Sequence, residues 1–265
     1  MGGKKHPSNS SITEEMDTRI ASASFLLSIL FFSGAIVSAD FDFFYYVLMW
    51  PGAYCKKEGC CLPTTGKPEL DFFIEGMYPA KNSGEFVSKC DITTKFYVNE
   101  VADMISGMYA YWPNITCPSN NGLSSWKNLW EPYGNCMGLT EKEYFGGALQ
   151  LRSTVNLLSN LGRADMVPND NDYDSSLIYA AINDAVGGKT AMRCVETSWW
   201  WFWSKSQLSE VWFCVDKSGS TIINCPTYPK FTCGDKVTFG KFTYDMMKDT
   251  SESFNPIQMP TSLSE

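Results

Sequence analysis

Ten cysteines constrain the fold of this 265-residue chain more than any other feature, because all of them follow an apolar segment typical of an export signal. Residues 25–37 form an apolar run that is short for a membrane span but has the length of a signal-peptide core. An exported chain folds where thiols oxidise, so an even number of cysteines predicts up to five disulfides. The cysteines are Cys55, Cys60, Cys61, Cys90, Cys117, Cys136, Cys194, Cys214, Cys225 and Cys233.

The end of the leader is predicted from small residues behind the apolar run. Val37 and Ala39 occupy the third and first positions before a cleavage after Ala39, so residues 1–39 are predicted to be an N-terminal extension and signal peptide. Met16 is an alternative start. A type II membrane anchor is the competing interpretation, which the short run disfavours. We expect a mature chain from Asp40 without a transmembrane segment, secreted to the extracellular space or the vacuole.

Histidine and charge exclude several classes of function. The single histidine, His6, lies in the predicted leader, and the leader's basic and acidic residues cancel, so the mature chain has no histidine and keeps the net charge of −8. Without histidine or paired CxxC motifs, no metal or cofactor is expected, and Ser-His-Asp or Cys-His catalysis is excluded. Because an acidic chain lacks the basic face that phosphate binding needs, strong nucleic-acid binding is not expected.

Hydrophobic patterns predict strands and helices in an interleaved order. Strands are expected at residues 41–50, 70–74, 211–215 and 221–224, and helices at residues 98–111, from a capping box at Thr140 to residue 162, and at residues 175–186. The absence of a regular strand-helix-strand rhythm predicts the α+β class. From residue 245 the chain is rich in Ser, Thr and Pro, so we predict one domain over residues 40–244 and a disordered tail over residues 245–265.

Asn114 begins an Asn-Ile-Thr sequon. In an exported chain this motif predicts a glycosylated asparagine at the surface. Asn9 begins a similar motif but lies upstream of the apolar run, so it is not expected to carry sugar.

Four segments resemble the secreted ribonuclease T2 family, especially its plant members. They are residues 41–55 (FDFFYYVLMWPGAYC), 60–79 (CCLPTTGKPELDFFIEGMYP), 124–136 (SSWKNLWEPYGNC) and 214–226 (CVDKSGSTIINCP). With the cysteine spacing, the resemblance covers about residues 40–239 and implies a single domain with an antiparallel sheet packed against helices. The disulfides that it implies are Cys55–Cys60, Cys61–Cys117, Cys90–Cys136, Cys194–Cys233 and Cys214–Cys225.

The positions that the resemblance marks as catalytic hold other residues. Active members are similar to IHGLWP where residues 74–79 read IEGMYP, with Glu75 at the histidine position. They are similar to WxHEWEKHGTC where residues 126–136 read WKNLWEPYGNC. Here Asn128 and Tyr133 occupy the two histidine positions, Leu129 the glutamate position and Pro132 the lysine position. The framework residues of this segment are kept, namely Trp126, Trp130, Gly134 and Cys136.

These replacements remove the chemistry that the family uses. The resemblance implies RNA cleavage by attack of the ribose 2′-hydroxyl, which needs a base, an acid and cations around the phosphorus. Leu129 moves no proton, Glu75 repels phosphate, and a tyrosine hydroxyl is a poor acid near pH 5 because its ordinary pKa is about 10. A helix through Pro132 would also be perturbed. Glu75 as base with Tyr133 as acid is the remaining catalytic alternative, without a cation to assist it.

Five consecutive aromatic residues form a second unusual feature. They are Trp199, Trp200, Trp201, Phe202 and Trp203, which follow Cys194 where relatives have a short connection. One interpretation is a longer hairpin whose rings pack back on the domain. The other is an exposed patch that contacts a carbohydrate, a lipid surface or a protein. A nucleic-acid platform is disfavoured because only Lys205 and Arg193 are close in sequence.

Three hypotheses of function follow. The first is a secreted T2-like protein that has lost its catalytic histidines and serves as a storage, stress or defence-related protein. The second is a binding module that uses the altered cleft around Glu75 and Tyr133 or the aromatic run. The third is an RNA-binding endoribonuclease of the T2 type with residual activity.

Overall fold

The computed structural model describes residues 40–90, 95–198 and 204–249, and the predicted leader lies outside them. The helices are α1 (Pro51–Glu58), α2 (Ile105–Tyr111), α3 (Leu123–Tyr133), α4 (Glu141–Val155), α5 (Leu157–Arg163) and α6 (Ser175–Val186). The strands are β1 (Phe43–Met49), β2 (Cys60–Cys61), β3 (Phe73–Ala80), β4 (Asn171–Asp174), β5 (Ala191–Ser198), β6 (Ser204–Val215), β7 (Ile222–Ile223), β8 (Lys236–Phe239) and β9 (Met247–Lys248). The interleaved order confirms the predicted α+β class.

Strand β1 lies in the interior of the main sheet, as its sequence requires. Its seven residues, FFYYVLM, are aromatic, aliphatic or β-branched and are buried on both faces except for the last. It pairs antiparallel with β3 on one side and with β6 on the other. The strand predicted at residues 41–50 is therefore confirmed.

The main sheet is mixed rather than antiparallel throughout, which corrects the expectation from the resemblance. Its strands follow the order β3-β1-β6-β8-β4, and β5 and β7 also pair with β6. The pairs are antiparallel except β6 with β8, which run parallel where Gln207 lies beside Thr238. The hairpin predicted within residues 211–224 is confirmed by the pairing of Cys214 with Ile223.

One face of the sheet packs against α4. The Tyr46 hydroxyl of β1 donates to the Ala148 carbonyl at 2.7 Å. The Tyr144 hydroxyl donates to the Met77 carbonyl of β3 at 2.9 Å and accepts the Met77 N–H at 3.3 Å. Because all these groups are buried, the bonds fix α4 against the middle of β3.

The predicted second strand begins later and extends further than residues 70–74. Residues 70 and 71 form a bend, and the Asp71 side chain accepts the N–H of Phe72 at 2.6 Å. Strand β3 then runs from Phe73 to Ala80. Position 75 thus lies within a strand, close to its start.

The predicted helices are present with two differences. Residues 98–111 begin as a 3₁₀ helix (Val98–Met104) and become α-helical only in α2. The capping box at Thr140 and Glu143 starts α4, but Asn156 adopts the left-handed conformation with φ of 38° and divides the predicted segment into α4 and α5. Asparagine tolerates this conformation better than other non-glycine residues. Helix α6 has the predicted bounds and ends at Gly187 with φ of 77°.

The ordered fold continues beyond the predicted boundary at residue 244. A 3₁₀ helix (Tyr244–Met246) leads into β9, which pairs parallel with β2. The backbone hydrogen bonds of this pairing hold the segment in place, although its composition resembles the tail. The rest of the predicted disordered tail, residues 250–265, lies outside the described residues.

Candidate functional site

Glu75, the first position that the resemblance marks, lies at an irregularity of β3. Val47 of β1 pairs with Gly76 and Leu48 pairs with Ile74, so Glu75 is the extra residue between two regular pairs. A bulge of this kind turns a side chain away from regular alternation. Glu75 is exposed, whereas Ile74, Gly76 and Met77 are buried.

The Glu75 carboxylate has one hydrogen-bond partner among the described residues. The Tyr78 hydroxyl donates to Oε2 at 2.7 Å. Tyr78 reaches this point because its ring lies over Gly76, where a Cβ atom would come within 2.6 Å of the ring. Gly76 is therefore required by the close approach of Tyr78 rather than by an unusual backbone conformation.

The remaining marked positions lie on α3. Leu129 and Tyr133 are four residues apart and share a helix face; both are partly buried. The Tyr133 ring meets the Tyr78 ring edge to face at 5.2 Å. Asn128 is exposed. The structure thus brings Glu75 and Tyr133 together around Tyr78, and no contact of Asn128 with either one is described.

Pro132 perturbs α3 less than its sequence position suggested. The helix passes through Pro132, ends at Tyr133 and continues as a 3₁₀ turn, Gly134–Cys136. A proline this close to a helix end removes a single backbone hydrogen bond. Its carbonyl accepts the N–H of Lys89 at 2.8 Å, which ties the helix end to the segment near the Cys90–Cys136 disulfide.

Two further aromatic residues complete the surface around Tyr78. The ring of Trp212 on β6 is nearly parallel to Tyr78, with an interplanar angle of 17° and centroids 6.4 Å apart. The ring of Phe86 lies 5.8 Å from Tyr78 and 6.4 Å from Trp212. We call Glu75, Tyr78, Phe86, Tyr133 and Trp212 together the aromatic site.

A polar chain behind Trp212 extends from the aromatic site to β5. The Trp212 indole N–H donates to Glu210 Oε2 at 2.7 Å, and Arg193 Nη1 donates to Glu210 Oε1 at 2.8 Å. Arg193 and Glu210 occupy paired positions on β5 and β6. Sequence reasoning missed this chain and Phe86. The alternation of residues 210, 212 and 214 on one strand was the signal available for Glu210 and Trp212.

The surroundings of the aromatic site raise the pKa of two of its groups, Glu75 and Tyr78. Glu75 is accessible to solvent yet surrounded by protein atoms, and this crowding raises the pKa of its carboxyl group. The nearby Glu210 raises the pKa further, whereas the Tyr78 hydrogen bond and Arg193 lower it. Burial and the adjacent Glu75 raise the pKa of Tyr78 far above its usual value. A tyrosine with a raised pKa is a poor proton donor, whereas a carboxylate with a raised pKa is a stronger proton acceptor.

The ten cysteines form the five pairs that the resemblance implies, and none is free. They join Cys55–Cys60, Cys61–Cys117, Cys90–Cys136, Cys194–Cys233 and Cys214–Cys225. Within residues 40–90, 95–198 and 204–249, no group of three or more His, Cys, Asp or Glu side chains is placed to bind a metal ion, and no helix has the length and apolarity to cross a membrane.

Asn114 is partly buried before α3. Its amide Nδ2 donates to Ser125 Oγ at 2.5 Å, and its Oδ1 accepts the backbone N–H of Thr116 at 2.8 Å. Because an amide nitrogen carries two hydrogens, the bond to Ser125 leaves one position for a sugar. Glycosylation at Asn114 stays a prediction.

The five-residue aromatic run lies outside the described residues. Strands β5 and β6 are paired up to Ser198 and Ser204, on either side of the run. Trp199, Trp200, Trp201, Phe202 and Trp203 therefore connect two paired strands, and the two interpretations of their role stay open.

A cavity of about 840 Å³ lies apart from Glu75 and Tyr133, between the start of α6 and residues 228–235. Tyr179, Tyr228 and Phe231 contribute rings to its wall. Phe231 also contacts Trp212, with centroids 5.4 Å apart, so this cavity adjoins the aromatic site at one residue.

Comparison with known proteins agrees with the α+β fold and its five disulfides. The model of the ribonuclease T2 family matches residues 41–225. The chain is 42% identical over 208 residues to the extracellular ribonuclease LE of Solanum lycopersicum, covering 77% of this chain and 88% of that protein. This chain belongs to the ribonuclease T2 family.

Two further similarities concern a solved structure and a storage protein. The crystal structure of RNase NT in complex with 5′-AMP aligns with a TM-score of 0.72 at 38% identity, over 77% of this chain and all of that one. A ribonuclease-like storage protein of Panax ginseng is 26% identical over 182 residues, which cover 68% of this chain and 73% of that protein.

Proposed function

We propose that this protein does not cleave RNA and acts as a secreted, non-enzymatic member of the family. The observation that carries the proposal is the Glu75 carboxylate, which lies where the resemblance places a catalytic histidine and which accepts the Tyr78 hydroxyl. The chain has no histidine after His6 to take over either proton transfer.

The aromatic site lacks an acid suited to the leaving group. Cyclising cleavage needs one group to accept the proton of the 2′-hydroxyl and another to protonate the departing 5′-oxygen. Glu75 is able to accept a proton, but the hydroxyl beside it, on Tyr78, has a pKa raised far above the usual tyrosine value. Asn128 and Leu129 offer no titratable proton. A base without an acid gives little acceleration.

In the part of the chain that the structure describes, no unpaired cation acts on the Glu75 carboxyl group to assist the phosphorus centre. Charge develops on the phosphate oxygens during cleavage, and family chemistry stabilises it with cationic donors. Among the described residues, Arg193 is the cation that influences Glu75, and it is paired with Glu210. The carboxylate of Glu75 adds repulsion where a phosphate would have to lie.

A storage, stress or defence role fits a protein that keeps the fold and loses the chemistry. Five disulfides and a buried aromatic core stabilise the fold, and Leu129, one of the replaced positions, packs against that core. The name of the ginseng relative supports storage as one such role.

RNA cleavage is the second candidate, and the names of relatives favour it. The extracellular ribonuclease LE and two Arabidopsis thaliana ribonucleases match this chain at 37–42% identity. In this alternative, Glu75 would act as base and Tyr133 as acid, since these are the marked positions that lie nearest to each other around Tyr78.

An RNA-cleavage assay from acidic to neutral pH separates the two candidates. The native protein is expected to release no 2′,3′-cyclic phosphate above background. The matched control restores the family residues with Glu75→His, Asn128→His, Leu129→Glu, Pro132→Lys and Tyr133→His, and it is expected to cleave because the framework of α3 and β3 is kept. Cleavage by the native protein, abolished by Glu75→Gln, would overturn the proposal.

Secretion is part of the proposal and rests on the apolar leader, the five disulfides and the extracellular relative. N-terminal sequencing of the protein from a eukaryotic culture medium is expected to begin at Asp40. A mature protein that retains residues 25–37 would contradict the predicted signal peptide.

Glycosylation at Asn114 has a separate test. Loss of a glycan from the secreted protein in Asn114→Gln would identify the sugar site.

A further inference from the structure

The Glu75 carboxylate is a negative charge without a neutralising partner at the surface. Tyr78 occupies Oε2, and Oε1 has no hydrogen-bond partner among the described residues. No lysine or arginine in the described part of the chain forms an ion pair with Glu75, although ten other ion pairs are present there. An exposed oxygen in this position is available to a donor from solution.

The aromatic rings beside Glu75 are held in fixed orientations. Glu75 accepts the Tyr78 hydroxyl, and Glu210 accepts the Trp212 indole N–H, so each of the two nearly parallel rings is fixed by a carboxylate. Tyr133 stands perpendicular to Tyr78, at 88°. Ordering these rings before binding lowers the entropy that a ligand would have to offset.

The two carboxylates of this arrangement differ in their availability. Arg193 forms an ion pair with Glu210, whereas no lysine or arginine of the described residues forms one with Glu75. Rings of tyrosine and tryptophan attract cations to their faces, at centroid distances of up to about 6 Å. The Glu75 carboxylate and the rings of Tyr78 and Tyr133 are adjacent, because the Tyr78 hydroxyl donates to Glu75 and its ring contacts Tyr133.

We propose that the aromatic site binds a protonated aliphatic amine, with one ammonium group at Glu75 Oε1 and the adjoining alkyl chain against the rings of Tyr78 and Tyr133. The inference rests on the proposed loss of RNA cleavage, because a nucleic-acid phosphate and an ammonium require opposite charges at position 75. A neutral sugar would stack on the same rings and donate a hydroxyl to Glu75, but it carries no positive charge to pair with the carboxylate.

Isothermal titration calorimetry with spermidine tests the proposal at neutral pH and physiological salt, which screens weak binding to the acidic surface as a whole. We expect saturable binding that Glu75→Gln weakens about tenfold or more, since it removes a charge-assisted hydrogen bond. Tyr133→Leu is expected to weaken binding about threefold by removing one ring. The matched control is Glu69→Gln, which changes the charge equally at an exposed position elsewhere and leaves affinity unchanged. Circular dichroism verifies the fold of each variant.

Two control ligands and a parallel cleavage assay distinguish the possible failures. The inference would be overturned if Glu75→Gln and the native protein bound spermidine with equal affinity, or if Mg²⁺ bound more tightly than spermidine. Either result would show non-specific attraction to acidic groups. Saturable binding of 5′-AMP that displaces spermidine would also overturn it. RNA cleavage by the same preparation would overturn the proposed function. Silence in both assays would overturn the amine site alone.

Discussion

Neighbouring residues on β3 and β6 face different surroundings. Met77 and Phe213 point into the core and are fully buried, whereas Tyr78 and Trp212, the adjacent residues, are partly exposed at the aromatic site. The buried residues provide the packing that the fold requires, whereas Tyr78 and Trp212 form part of the aromatic site. The difference indicates that side chains of these strands at the aromatic site can be exchanged without changing the core packing, because alternate residues of a strand face separate environments.

The comparison is tested most strongly by alanine at two adjacent positions. Phe213→Ala leaves a cavity beside Tyr46, whose ring lies 4.8 Å away, and is expected to lower the free energy of unfolding by about 4 kcal/mol. Trp212→Ala removes a partly exposed ring and is expected to cost about 1–2 kcal/mol. Guanidinium denaturation with the disulfides intact measures both. Equal losses would show that the aromatic site is part of the structural core.

A second test compares two glycines on different helical segments. A Cβ at Gly134 would overlap the Trp130 ring, so Gly134→Ala is expected to destabilise the protein by about 1–3 kcal/mol. A methyl group at Gly162 of α5 would meet no atom within 4 Å, and Gly162→Ala is expected to stabilise the protein by about 0.5–1 kcal/mol. The melting temperatures of the two variants measure the effects. A neutral Gly134→Ala would mean that the kept residues of α3 are no more constrained than the replaced ones.

The smallest expected effect concerns the pH dependence of stability. The raised pKa of Glu75 means that the folded state holds this proton more tightly than the unfolded chain does. The stability that this group contributes is therefore present at acidic pH and is lost as the pH rises through the raised pKa of Glu75. At pH 7 the free energy of unfolding of Glu75→Gln should exceed that of the native protein by less than about 1 kcal/mol, because solvent screens the exposed group.

Calorimetry of the two proteins at pH 4 and pH 7 provides the measurement, with Glu69→Gln as the charge-matched control. The advantage of Glu75→Gln should shrink at pH 4, where Glu75 is protonated. A native protein that gains stability relative to Glu75→Gln between pH 4 and pH 7 would show that the Tyr78 hydrogen bond, rather than crowding, controls this carboxyl group.

Most of the framework was predictable because it depends on local signals and on the resemblance. Three of these signals specify secondary structure through neighbours in sequence: the aromatic run of β1, the capping box at Thr140, and Gly187 after α6. The strand β9 was missed because its stability comes from pairing with β2, and the paired residues Cys60 and Met247 are far apart in sequence. Asn156 was missed because a single left-handed residue leaves the hydrophobic pattern of α4 and α5 unbroken.

The aromatic site was only partly predictable. Glu75 and Tyr133 were identified from the marked positions, but their common neighbour Tyr78 joins them through a ring that folds over Gly76. Trp212 reaches the site through the register of β6 against β1, and Phe86 through the chain that turns back after β3. The positions of Trp212 and Phe86 beside Tyr78 depend on strand pairing over long sequence separations. Composition and spacing do not encode such pairing.

The bulge at Glu75 has an evolutionary consequence. The extra residue is a property of the backbone between two fixed pairs of β1 and β3, so whichever side chain occupies position 75 is presented at the same place. Substitutions there exchange chemistry without disturbing the buried neighbours Ile74 and Met77. Position 75 can therefore change from one functional group to another by single substitutions, while the packing of the strand that carries it is unaffected.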